Sequence, residues 1–79
     1  MYTRLYMANL NRQFLLFLGK RIREGREKMG VSQEKMGQLA KFHRTYIGMI
    51  ERGEKNITIF NLKKIAQALH VQVRDLIDF

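Results

Sequence analysis

The stretch QEKMGQLAKFHRTYIGMIER, residues 33–52, decides the fold. It reads as two short helices, 33–40 and 44–52, separated by Lys41, Phe42 and His43. Three residues allow only a tight turn, so the helices must cross steeply, at about 90–120°. Such a crossing needs a small residue where the helices approach, and Gly37 stands there. Ile47 and Ile50 pin the second helix from inside, while Met36, Leu39 and Ala40 form the buried stripe of the first. The second helix then presents Arg44, Thr45, Gly48 and Met49 outward, with His43 just ahead of them.

A helix with one exposed face fits the major groove of duplex DNA and reaches base edges there. Arg44 has the length and the planar fork to pair with a guanine. Thr45 offers a hydroxyl for a phosphate and a methyl for a thymine. Met49 is either adaptable exposed surface or a thymine-methyl contact. His43 reads first as a cap of the turn, and it is carried as a candidate base contact beside Arg44, Thr45 and Met49. Gln33 and the free backbone N–H groups that open the first helix are suited to hold a phosphate.

Outward from this unit the chain is helical throughout. Leu18, Ile22 and Met29 share one face and predict a helix over 14–29, which Gly30 ends. Gly25 lies on that same face. Ser32 caps the helix at 33–40. Gly53 closes the helix at 44–52, and Glu54, Lys55 and Asn56 form a polar loop. Thr58 caps a helix at 59–69 with Leu62, Ile65, Ala66 and Leu69 inside, and His70 reads as its left-handed end. A short helix at 73–78 follows. Residues 56–60 alternate like a strand but are too few to pair usefully. Residues 1–13 form an N-terminal extension that either prolongs the first helix or remains a mobile arm. Residues 14–79 form the domain, an all-α, compact five-helix helix-turn-helix unit.

Composition narrows the chemistry. The 79 residues carry 15 Lys+Arg against 7 Asp+Glu, a formal net charge of +8, which favours a polyanionic partner. There is no cysteine and there are only two histidines, His43 and His70, so no metal site is expected. No paired carboxylates, nucleophile–base pair or phosphate loop is visible, so neither catalysis nor a cofactor is expected. The longest apolar run, residues 14–18, is far below the ~20 residues that span a bilayer. No membrane association is expected, and the absence of a signal sequence points to the cytoplasm.

With those residues in place, the chain resembles the Cro/repressor class of helix-turn-helix domains. The resemblance rests on SQEKMGQLA at 32–40 and HRTYIGMIERGEKNITIFNLKKIAQALHV at 43–71. Within that class, RTYIG, IERG and NIT most resemble the controller proteins of restriction–modification systems. The resemblance implies that Arg44, Thr45 and Met49 face bases. It implies that Gln33 and Gln38 flank the first helix of the motif as DNA-backbone contacts. Tyr46 falls near the backbone or a flexible base step, and Lys55 and Asn56 in a phosphate-contacting loop. It also implies a buried ion pair between Arg26 and Glu51. Three departures stand out. Lys41 replaces the usual glycine of the turn, which implies strain or a shifted turn. His43 replaces the usual Ser or Asp cap. Gly25 replaces a leucine, which implies a thinner core.

One recognition helix reads only a few base pairs, so a homodimer on an inverted repeat is expected. Phe60, Val73, Ile77 and Phe79 exceed what so small a core is expected to bury, and the resemblance places the dimer contact at that end. Phe14 and Phe17 are the alternative interface. The expected function is a transcriptional regulator of double-stranded DNA without a small-molecule ligand. The competing readings are an antitoxin that neutralises a protein toxin through residues 1–17, and an interaction module that has lost DNA binding.

Overall fold

The structure, a computed structural model, describes residues 2–78, with side chains from Arg12 onward. Five helices follow one another: α1 (Tyr2–Lys28), α2 (Gln33–Ala40), α3 (Arg44–Glu51), α4 (Ile59–Leu69) and α5 (Val73–Ile77). No strand occurs among the described residues, and 56–60 lead into α4 rather than pairing. The first helix begins at Tyr2.

Local chemistry sets most of the boundaries. The Ser32 hydroxyl accepts the Lys35 N–H at 3.0 Å, and the Thr58 hydroxyl accepts that of Asn61 at 3.1 Å. Each satisfies one of the donors that a helix start leaves open. Asp75 does the same for α5, accepting the Gln72 N–H at 2.9 Å. Lys41 ends α2 in the left-handed region, with φ 64° and ψ 45°, and its N–H donates to the Gly37 carbonyl. The turn is therefore not shifted: lysine adopts the conformation glycine would adopt freely, at a cost of about 1 kcal/mol. His70 ends α4 in the same way, with φ 60°.

The core is Leu18 and Ile22 of α1, Met36 and Ala40 of α2, Ile47 and Ile50 of α3, Leu62, Ile65, Ala66 and Leu69 of α4, and Leu76 of α5. Two glycines permit the close approaches that build it. A Cβ on Gly37 would strike the Phe42 carbonyl, so α2 can turn tightly into α3 only there. A Cβ on Gly19 would strike the backbone carbonyls of Ile50 and Glu51, so α1 lies directly across the end of α3.

Three packing expectations need correction. Leu39 is 44% exposed, so the buried stripe of α2 is Met36, Gly37 and Ala40. Gly25 does not thin the core: the Leu69 methyls occupy its space, 3.3 Å from where a Cβ would stand. Val73 and Ile77 are half-buried against the core rather than surplus to it, because α5 folds back onto α1 and α4. Phe60 is 68% exposed beside Ile59 at 69%, so the exposed apolar surface at this end belongs to the start of α4. Phe79 lies outside the described residues.

Candidate nucleic-acid interface

Helix α3 is held at both ends. At its start, His43 adopts an extended backbone, and its Nδ1 accepts the Thr45 N–H at 3.0 Å. The imidazole thus does the work of the Ser or Asp cap it replaces. That assigns Nδ1 to α3 itself and leaves only Nε2 for a base. Phe42 packs on Tyr46 with ring centroids 4.8 Å apart, and the Lys64 ammonium lies 4.8 Å from the Phe42 centroid and 5.6 Å from that of Phe60. Such cation–ring contacts are attractive. The Tyr46 hydroxyl accepts a hydrogen bond from the Asn61 amide at 3.1 Å. Tyr46 is therefore half-buried and tied to α4, with part of its ring at the surface.

At the other end, Arg26 donates to both Glu51 oxygens, Nε to Oε2 at 2.6 Å and Nη2 to Oε1 at 3.1 Å. Its remaining nitrogen, Nη1, donates to the Val31 carbonyl at 2.9 Å. Gln33 completes the cluster, donating from Nε2 to Glu51 Oε1 at 3.0 Å. The Arg26 and Glu51 side chains are only 12% and 3% exposed. The Glu51 hydrogen bond raises the Arg26 guanidinium further above its ordinary value, against the opposing effect of burial. One carboxylate thus ties α1, the α1–α2 loop and the start of α2 to the end of α3. Burial of two charges is tolerated because their hydrogen-bonding groups meet partners. No buried side-chain polar atom is left unpartnered among the described residues.

Between these anchors, Arg44 and Thr45 are exposed and Met49 is half-exposed. Gln38, Glu34, His43 and Arg44 line one shallow depression with Phe42, so one side of α2 and the start of α3 share a surface. Lys55 and Asn56 are exposed in the loop beyond Gly53. Gly48 is not presented outward as expected: it is covered by the Gln33 amide and the Arg52 guanidinium. Two roles went unread in the sequence. The Gln33 side chain supports Glu51, so one amide N–H is committed inward. Arg21 donates to the Asp75 and Asp78 carbonyls, both at 2.8 Å, and binds α5 to α1. Partners 54 and 57 residues apart carry no local signal.

The family described as helix-turn-helix matches residues 22–76. The chain belongs to the helix-turn-helix family. It is 46% identical over 65 residues to the control protein C.BamHI of Bacillus amyloliquefaciens, covering 81% of this chain and 80% of that one. It is 38% identical to the control protein C.SmaI of Serratia marcescens, over 76% of this chain and 71% of the relative. Its fold superposes on the crystal structure of the restriction-modification controller protein C.AhdI from Aeromonas hydrophila with a TM-score of 0.79. That pair shares 38% identity over 82% of this chain and 94% of the other. Members of this family are DNA-binding regulators rather than enzymes. No described helix is long and apolar enough to cross a membrane.

Proposed function

We propose that this chain is a controller-type transcriptional regulator that binds an inverted repeat in duplex DNA as a homodimer. The observation that supports it most is the exposed Arg44–Thr45 pair, held between a side-chain cap and a buried ion-pair cluster. A recognition helix must be rigid to discriminate bases, and both anchors serve that end. In this reading α3 enters the major groove, with Arg44, Thr45 and Met49 on base edges and His43 offering Nε2 beside them. Gln33, Gln38, Tyr46, Lys55 and Asn56 surround the helix as backbone contacts, and the +8 charge supplies long-range attraction. The cytoplasm is the compartment this activity requires.

The dimer contact is assigned to Ile59 and Phe60, two large apolar side chains side by side at the start of α4, with α5 alongside. An exposed apolar patch of this kind marks an interface. Selection from a randomised duplex library tests the whole reading. Enrichment of an inverted repeat, with half-site centres about 34 Å apart, is the expected result. Enrichment of no sequence would remove the reading. Sedimentation of the wild type and Phe60→Asp at micromolar concentration tests the assembly. The wild type should run as a dimer and the variant as a monomer, and two dimers would move the interface elsewhere.

A further inference from the structure

Arg52 caps the C-terminal end of α3, and its guanidinium lies over Gly48, with Nη1 3.0 Å from where a Cβ would stand. Arg44, Gly48 and Arg52 are spaced four apart, so they run along one side of the recognition helix. Gly48 is buried while Arg44 and Arg52 are both exposed, so the Arg52 side chain forms the solvent side of the helix over Gly48, one turn beyond the position above Arg44. Its fork is already occupied. Nε donates to Glu54 Oε2 at 2.8 Å and Nη2 to Glu54 Oε1 at 3.2 Å. Both side chains are about half exposed, 56% and 50%. The turn fixes this pairing, because the Gly53 and Glu54 N–H groups donate to the Ile50 and Met49 carbonyls. Glu54 is therefore anchored as a carboxylate between the recognition helix and the Lys55–Asn56 loop, on the surface assigned to phosphates.

We propose that Arg52 is a further DNA-backbone contact and that Glu54 masks it, occupying in the free protein the fork that a phosphate takes on binding. The proposal rests on the DNA-binding reading of α3. A carboxylate and a phosphate use the same paired N–H donors, so they compete for one guanidinium. The exposed pair is weak enough to exchange. It is still a cost of binding, and it leaves a carboxylate beside the phosphate chain. Arg52 holds the Glu54 carboxyl below its usual range by hydrogen bonding, against the opposing effect of burial, so the mask remains charged near neutral pH. Glu54 thereby limits general affinity for DNA and raises the share that base contacts must supply.

A double-mutant cycle tests this, using fluorescence anisotropy on a labelled mixed-sequence duplex across a potassium chloride series. Glu54→Gln should bind about two- to fivefold tighter than wild type. Its salt slope should be steeper by up to about one unit, since Arg52 no longer exchanges one anion for another. Glu24→Gln, the same charge change at an exposed carboxylate on α1, should differ from wild type far less. In an Arg52→Ala background, Glu54→Gln should lose most of its gain. Equal gains from Glu54→Gln and Glu24→Gln would reduce the effect to net charge and overturn the mask. A full gain without Arg52 would overturn it equally. Wild type that binds no duplex at all would remove the DNA reading of α3, and the proposal with it.

Discussion

Glu51 and Glu54 lie three residues apart, and each accepts two hydrogen bonds from an arginine fork. Glu51 is 3% exposed and meets Arg26 from a different helix, with Gln33 adding a third bond. Glu54 is 50% exposed and meets Arg52 of the same turn. The chemistry is the same and the consequences differ. A buried fork that loses one partner leaves a charge without solvent or counter-charge. An exposed fork that loses one partner is rehydrated. The inner pair therefore fixes where α3 points, while the outer pair remains free to exchange with a ligand.

The largest effect should come from breaking the inner pair. Glu51→Gln should lower unfolding free energy by about 3–5 kcal/mol, because Arg26 is left buried. That approaches the whole stability of a domain this small. Urea denaturation followed by circular dichroism measures it, and an unchanged midpoint would mean the cluster does not hold α3. A smaller effect of opposite sign is expected at the turn. Lys41→Gly should stabilise the fold by about 1 kcal/mol by relieving a left-handed lysine, partly offset by a freer unfolded chain. A destabilised variant would show that the lysine side chain contributes more than its backbone costs.

Changes on the outer surface should barely move stability. Glu54→Gln and Lys55→Ala should melt with wild-type midpoints in thermal scans. Lys55→Ala should nevertheless weaken binding to all duplexes alike and lower the salt slope by about one unit. A melting shift in either variant comparable to that of Glu51→Gln would erase the distinction between the two pairs.

The features that were legible in the sequence are those with local causes. Ser32 and Thr58 cap helices through neighbours three residues away. The spacing of Met36, Ala40, Ile47 and Ile50 places them in the core because helical geometry repeats. Gly37 was readable because a three-residue turn forces contact at that point. What was not legible depends on where distant elements meet. Leu39 has the chemistry of a core residue, yet it lies on the flank of α2 and stays exposed. Gly48 reads as a surface gap until Arg52 and Gln33 are seen to cover it. Gln33 faces two duties, and only the approach of α3 shows that its amide supports Glu51. Val73 and Ile77 look surplus until Arg21 is found holding α5 against α1.

In the proposed mode of binding, the outer side of α3 reads bases while the inner cluster only holds the helix in place. The most direct measurement is the affinity of wild type and Arg44→Ala for a selected site and for a scrambled duplex of the same composition. Binding to the selected site should weaken by about 1–3 kcal/mol, with preference relaxed at one base position. Binding to the scrambled duplex should change far less. Equal losses on both would assign Arg44 to the DNA backbone and contradict the account.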